Sequence, residues 1–534
     1  PSDILGIIAL VDADSDNRVN AFELIDIIES MDVDMKSDIT QTPTELLIEY
    51  MDALDINAGS FFRKLDSNGD GKINRNELSE ALSEHSNEEV ENAVKMVNDH
   101  KDKVTALMAV NLAMAAGEYF YGRAGTKRSR VLVGKDTRLS GYMLEPALVA
   151  GFTSVGLDCI TTGPLPTPAI SHLTRVLRCD LGVMISASHN PYQDNGLKLF
   201  GADGFKLNDE VENEIQSRMI SGPILAKSEN LGRARRMEDA IGRYSEFVKQ
   251  ILPKREDLTS MKVVLDCSNG ASYKVGPEVL FELGADSVII GAEPNGKNIN
   301  LDCGAMYPEN MAKITKLEGA NLGIALDGDA DRVIFSDENG EIINGDQIIA
   351  VLAREMQKNN ELIDNQVVGT LMSNLGLENY LNKLNIHLHR TNVGDRYILD
   401  KMIKSNSKLG GEPSGHILLA DFAKTGDGLL TAIKILSLLK KSGLKASEFL
   451  RPFKPIPQSL KNLKNIDKNV LLNKNIISLV EKQQEELGKR GRILLRPSGT
   501  EDLIRIMVES NDLKIINSTT EIISKAIIKE NENK

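Results

Sequence analysis

The chain has 534 residues, 41% of them hydrophobic and 26% charged, which excludes a disordered, collagen-like or rod-forming polypeptide. No apolar run is long enough for a membrane helix. The net charge of -14 is uneven: residues 1–103 hold 24 Asp+Glu against 9 Lys+Arg, while the rest holds 53 against 54, which argues against a general nucleic-acid surface.

The acidic first fifth contains two loops with calcium-type spacing. Asp66 to Glu77 read DSNGDGKINRNE, with Asp66, Asn68 and Asp70 at alternate positions, Gly71 at the sharp turn, Lys72 offering its carbonyl and Glu77 offering two oxygens. Apolar Ile73 is suited to pairing with a partner loop. Asp12 to Glu23 repeat the pattern as DADSDNRVNAFE, with side-chain oxygens from Asp12, Asp14, Asp16, Asn20 and Glu23 and the carbonyl of Arg18. Asn17 replaces the usual glycine, and Asn tolerates the left-handed backbone better than most residues. Two matches in one acidic segment predict an all-α, EF-hand-like Ca²⁺-binding region over residues 1–103.

From about residue 104 the pattern becomes α/β. Apolar strand-like runs at 130–134, 181–187, 262–268, 322–328 and 366–372 alternate with amphipathic helices such as 142–155 and 429–440. The Pro-, Lys- and Asn-rich stretch 454–469 reads as a linker into a small C-terminal unit. Cys159, Cys179, Cys267 and Cys303 form no CxxC pair, so neither a disulfide scaffold nor a zinc knuckle is expected. Free cysteines without a secretory leader favour the cytoplasm.

Four loops carry polar chemistry. SASHNPYQDNGLKLF (186–200) follows an apolar strand, placing Ser188 where α/β sites form, with Lys198 as an acid/base or phosphate contact. DGDADR (327–332) puts Asp327, Asp329 and Asp331 in one turn, suited to a hard divalent ion; Arg332 at the sixth position, where a calcium loop needs glycine, argues for a turn between two strands instead. GGEPSGH (410–416) offers Glu412 and Ser414 to hydroxyl groups and His416 to proton transfer. RPSGTEDLIR (496–505) combines Arg496, Ser498, Gly499, Thr500 and Arg505 into an anion cradle.

In this order the four loops resemble those of the α-D-phosphohexomutase family over about residues 104–534. The stretches at 131–158, 163–169, 367–378 and 391–399 are similar to its bacterial branch acting on glucosamine phosphate. The resemblance implies three α/β domains (104–241, 242–345, 346–455) and a small TATA-binding-protein-like α+β domain (456–534) around one cleft. It implies interconversion of glucosamine 6-phosphate and glucosamine 1-phosphate, toward a peptidoglycan precursor, with glucosamine 1,6-bisphosphate or a similar sugar as phosphorylating activator. By that resemblance Ser188 carries a phosphate and joins Asp327, Asp329 and Asp331 around Mg²⁺. Lys198 and His416 move the hydroxyl proton, Arg332 stabilises the transferring group, Glu412 and Ser414 grip the sugar, and the 496–505 loop holds the second phosphate. The expected partner is a small phosphosugar, with neither nucleic acid nor membrane, and a homodimer left open.

Two departures keep alternatives alive. The glycine-rich FGTDGxRG-type loop that opens the family is not found, and a missing preorganised charge lowers a rate by about 10²–10³. Pro413 stands where the branch commonly has glutamine. The alternatives are a mannose or glucose phosphate substrate, or a calcium-binding protein on an impaired mutase scaffold.

Overall fold

The computed structural model describes residues 103–121, 129–464, 466–497 and 503–532, with the backbone of 19–20 and 72–73. The chain divides into two compact units, Pro1–Thr105 and Ala106–Lys534. In the first, the described backbone is an antiparallel ladder with Val19 opposite Ile73 and Asn20 opposite Lys72. Val19 and Ile73 hold the same loop position, counted from Asp12 and Asp66. The other residues expected to ligate Ca²⁺ (Asp12, Asp14, Asp16, Arg18, Asn20's side chain, Glu23, Asp66, Asn68, Asp70, Glu77) lie outside the described residues.

Among the described residues the second unit contains four sheets. After α1 (Ala106–Phe120) come β1 (Arg130–Lys135), α2 (Gly141–Ser154), β2 (Asp158–Pro164), α3 (Thr167–Val176), β3 (Leu181–Ile185), β4 (Leu197–Gly201), α4 (Asp209–Ser221) and β5 (Ala234–Arg236). They form a sheet of order β4-β3-β1-β2-β5, parallel except for β4. Every residue of β3 is buried, as its unbroken apolar run demands of a strand covered on both faces.

Helix α5 (Ala240–Lys249) leads to β6 (Lys262–Asp266), α6 (Val275–Glu282), β7 (Asp286–Ile290), α7 (Glu309–Leu317), β8 (Leu322–Leu326), β9 (Val333–Ser336) and β10 (Ile342–Ile343), in the order β10-β9-β8-β6-β7. The third sheet follows α8 (Gly345–Lys358), whose start carries a capping box of Asn344 and Gln347. It comprises β11 (Gln366–Thr370), α9 (Leu375–Lys383), β12 (His387–Thr391), α10 (Asp395–Ser405), β13 (Leu409–Gly411), β14 (Ile417–Leu419), α11 (Gly428–Ser442) and α12 (Ala446–Phe449), with strand order β12-β11-β13-β14.

The fourth sheet is antiparallel, β15 (Gln458–Lys464), β17 (Leu503–Ser510) and β16 (Gly491–Pro497) in that spatial order, covered by α13 (Lys474–Leu487) and α14 (Leu513–Glu532). Here the reading of 454–469 as linker is corrected: residues 458–464 are a strand. Its Asn462 and Lys464 face outward and Lys461 is half-buried on an edge strand whose Lys content discourages further strand pairing. One buried apolar cluster runs from Leu132 through Leu265 and Phe335 to Val367 and Leu436, so the first three sheets share a core. The fourth has its own, around Val470, Ile504 and Ile523.

Candidate active site

Ser188 lies just beyond the C-terminal end of β3, in a left-handed backbone conformation (φ 51°) that a serine adopts only under constraint. The constraint is a buried polar network. The Ser188 N–H donates to Ser186 Oγ at 2.9 Å, and Ser186 donates to Asp136 Oδ2 at 2.7 Å. Arg138, 1% exposed, donates from Nε to the same carboxylate at 2.8 Å. Its Nη2 donates to the carbonyls of Ser188 and Asn190, both at 2.8 Å, and its Nη1 to those of Pro191 and Asp194. From the second sheet, Asn300 Nδ2 donates to the Ser188 carbonyl at 2.9 Å. Thus the loop's carbonyls face fixed cations and amides, leaving the Ser188 hydroxyl to project.

That hydroxyl donates to Asp327 Oδ2 at 2.9 Å. Asp327, Asp329 and Asp331 occupy the turn between antiparallel β8 and β9, each offering an oxygen within 4.8 Å of the others. Lys198 Nζ, on β4, reaches Asp329 at 2.6 Å and Asp331 at 3.1 Å. Thr167, at the start of α3, donates its hydroxyl to Asp329. Even so, Asp329 Oδ1 and Asp331 Oδ1 are buried with no hydrogen-bond partner among the described residues. Three carboxylates with two orphaned oxygens fit a hard divalent cation, which takes oxygen ligands. Burial and the charges of Asp331 and Asp329 hold the Asp327 carboxyl well above its usual range. Asp331 goes the other way: burial opposes its charge, but Lys198, His416 and Arg332 outweigh burial.

The third loop joins the second through a close backbone contact. Val333 N–H donates to the Gly415 carbonyl at 3.1 Å. A Cβ on Gly415, whose φ is 89°, would stand 2.1 Å from the Val333 oxygen, so only glycine permits the approach. His416 is thereby buried with Nδ1 3.7 Å from Asp331 Oδ1. Glu412, 7% exposed, accepts from the Gly394 N–H at 3.0 Å and from Ser414 Oγ at 3.2 Å. Arg332 Nε lies 3.9 Å from Asp331 Oδ1.

In the fourth sheet Arg496 and Arg505 face each other directly across β16 and β17. Like charges in that position are unfavourable unless an anion joins them. Burial and Arg505 lower the Arg496 pKa, while Glu412 pulls it back up, so Arg496 senses the carboxylate of the third loop. Ser498, Gly499 and Thr500 lie outside the described residues. Asp136, Arg138, Thr167, Ser186 and Asn300 were not foreseen; KDTRLS and PTPA carried the first three, but nothing local says that their side chains bond to distant loops.

Fold and site together define a layered α/β protein with an enzyme-like centre, a serine hydroxyl set against a buried carboxylate trio that fits a hard divalent cation. Family models for phosphoglucomutase/phosphomannomutase match in series: α/β/α domain I over residues 94–223, domain II over 242–340, domain III over 344–455 and the C-terminal domain over 456–526. The chain belongs to the phosphoglucomutase/phosphomannomutase family. An EF-hand model matches residues 59–83. A phosphoglucosamine mutase of Parvibaculum lavamentivorans is 52% identical over 426 residues, covering 79% of this chain and 95% of that protein. One of Agrobacterium fabrum is 50% identical over 429 residues, with the same coverage of 79% and 95%. Among solved structures, a family member from Burkholderia thailandensis aligns with TM-score 0.67 at 22% identity, covering 80% of this chain and 94% of that one. An Aspergillus fumigatus N-acetylphosphoglucosamine mutase aligns with TM-score 0.55 at 17% identity, covering 68% and 92%. Among the described residues, no helix is long and apolar enough to cross a membrane.

Proposed function

We propose that the chain interconverts glucosamine 6-phosphate and glucosamine 1-phosphate through a phosphoserine at Ser188 and a bisphosphorylated intermediate. The observation that carries this is the Ser188 hydroxyl 2.9 Å from Asp327, inside a buried carboxylate trio with unsatisfied oxygens. Identity near 50% to phosphoglucosamine mutases favours the amino sugar over mannose or glucose phosphate. Asp327, Asp329 and Asp331, with a phosphate oxygen on Ser188, would hold Mg²⁺, which would supply charge neutralisation when bound. The protein's own residues do the rest, since phosphoryl transfer depends on positioning and electrostatics more than on covalent chemistry.

In this reading Ser188 gives its phosphate to the free sugar hydroxyl, and the sugar's other phosphate later returns to it. The expectation that Lys198 moves the hydroxyl proton is revised: Asp329 and Asp331 hold it as an ammonium against the opposing effect of burial, and it balances the phosphoryl oxygens. Arg332 adds a second cation, and His416 carries the hydroxyl proton. Glu412 and Ser414 grip the sugar hydroxyls in either orientation. Arg496 and Arg505, with Ser498, Gly499 and Thr500, hold the non-reacting phosphate. A bisphosphorylated hexose such as glucosamine 1,6-bisphosphate restores a dephosphorylated Ser188. Exclusion of water protects the phosphoserine from hydrolysis. The N-terminal segment binds Ca²⁺; the EF-hand match and the ladder joining equivalent positions of its two loops support this. The four cysteines are buried and unpaired, which suits the cytoplasm.

The test is an isomerisation assay with glucosamine, glucose and mannose phosphates, Mg²⁺ and a bisphosphate primer, with and without Ca²⁺. Turnover is expected fastest with the glucosamine phosphates. Ser188→Ala is expected to abolish both turnover and phosphate labelling of the protein; full activity in that variant refutes the phosphoserine role.

A further inference from the structure

We propose that Asp395 selects the amino sugar by accepting the protonated 2-amino group of the substrate. This rests on the reading of the substrate as a glucosamine phosphate. Such a sugar differs from its glucose counterpart by one amine, largely an ammonium near neutrality, as α-amino groups are. Discrimination therefore requires an acid near the Glu412 turn whose present partner can give way to an ammonium.

Most acids there are held by partners that are themselves buried or part of the backbone. Asp327, Asp329 and Asp331 form the metal trio, with Ser188, Thr167 and Lys198 upon them. Asp136 is sealed against Arg138. Glu412 already accepts from Gly394 N–H and Ser414.

Asp395 remains, at the first turn of α10 and one residue from the Gly394 amide that bonds Glu412. Its backbone therefore stands beside the Glu412 turn. Burial opposes its charge, but Lys206 and His416 hold its pKa below the usual carboxylate value, and Asp331 also acts on it. The group thus shares the electrostatic neighbourhood of the metal turn.

Its present partners show what it accepts. Oδ1 takes the Arg396 N–H at 2.7 Å, and Oδ2 takes the ammonium of Lys206, which reaches across from the first sheet's side of the cleft. A primary ammonium is therefore an accepted occupant of this carboxylate. The two side chains are 29% and 27% exposed, and an ion pair this accessible contributes little net stability. The lysine can swing to solvent on its flexible stem at small cost, leaving its place to a sugar ammonium fixed by two phosphate contacts.

Affinities are measured by calorimetry on the full chain with Mg²⁺, in a Ser188→Ala background that prevents turnover. The ligands are glucosamine 6-phosphate and glucose 6-phosphate, and the readout is their affinity ratio. Asp395→Asn keeps the shape and removes the charge; the ratio is expected to fall by about two- to fivefold, the scale of a partly exposed charge pair. Lys206→Met removes the lysine and keeps the acid, and the preference for the amino sugar is expected to persist. An unchanged ratio in D395N overturns the proposal. So does an equal fall in K206M, which would assign the effect to the joint between the two sheets. If the unmodified protein converts no glucosamine phosphate, the functional reading itself fails; if it does convert it and the ratio ignores D395N, only this inference fails.

Discussion

Arg138 illustrates how much one side chain settles. Its guanidinium spends its hydrogen atoms on one carboxylate and four carbonyls between Ser188 and Asp194, and it is buried. A planar fork suits this and a lysine does not. Arg138→Met leaves Asp136 buried without its cation and is expected to destabilise the fold by about 3–5 kcal/mol, measured by denaturant unfolding. Arg138→Lys restores the charge but not the fork. It is expected to fold, to keep KM near the original value and to lose about tenfold or more in kcat, as Ser188 relaxes from its constrained backbone. An R138K enzyme with unchanged kcat would show that the fork does not position the nucleophile.

At the scale of elements, helix starts and strand edges decide local stability. Helix α11 begins at Asp427, which accepts the Leu430 N–H at 2.9 Å as its cap and the Tyr244 hydroxyl of α5 at 2.8 Å. Burial pushes the Asp427 carboxyl up to about 7, while its Leu430 and Tyr244 bonds pull it down. A folded-state pKa raised above the unfolded one means that the native state holds the proton longer. Stability from this group is therefore full below about pH 4 and falls as pH rises toward 7. Asp427→Asn keeps a good cap without the ionisation. Its stability relative to the parent is expected to improve across that window, by at most a few kcal/mol, as measured by thermal unfolding from pH 4 to 8. A difference that does not change with pH would remove Asp427 from the pH response.

Strand β15 shows the opposite lesson about sequence. Its Leu460 and Leu463 fall on opposite faces, so no period-two alternation marks it as a strand, and its composition and preceding prolines look like linker. The partner β17 lies some forty residues later in the chain, and only pairing with it makes the segment a strand.

Across the whole molecule, the fourth module is a separate core hung on the other three. Asn374 fixes the joint. It donates to the Ile456 carbonyl and accepts the Ile456 N–H, both at 2.9 Å, and donates to Glu509 Oε1 at 3.1 Å. Arg492 ties Glu509 to the Ser373 carbonyl of the third module. Asn374→Ala cuts the links to Ile456 and to Glu509 Oε1 and leaves Arg492 alone to tie Glu509 to the third module. The Arg496–Arg505 pair then loses its fixed distance from Ser188. The variant is expected to raise KM for phosphosugars several-fold more than it lowers kcat, because the second phosphate is held less well. Equal losses in both parameters, or none, would deny the joint this role.

The sequence alone determined the alternation of layers, the four polar loops and the residue types at their centres, because periodicity and spacing are local properties of a chain. It also predicted helices and strands to within a few residues, the strands stopping at Ser186, Cys267 and Asp327 where the loops begin. It did not reveal that Arg138 and Asn300 hold the Ser188 carbonyl, that Thr167 bonds Asp329, or that Lys206 meets Asp395. Those contacts join residues tens to hundreds of positions apart. Only the packing of one sheet against another brings them within hydrogen-bond range, and no local pattern records a partner that far away.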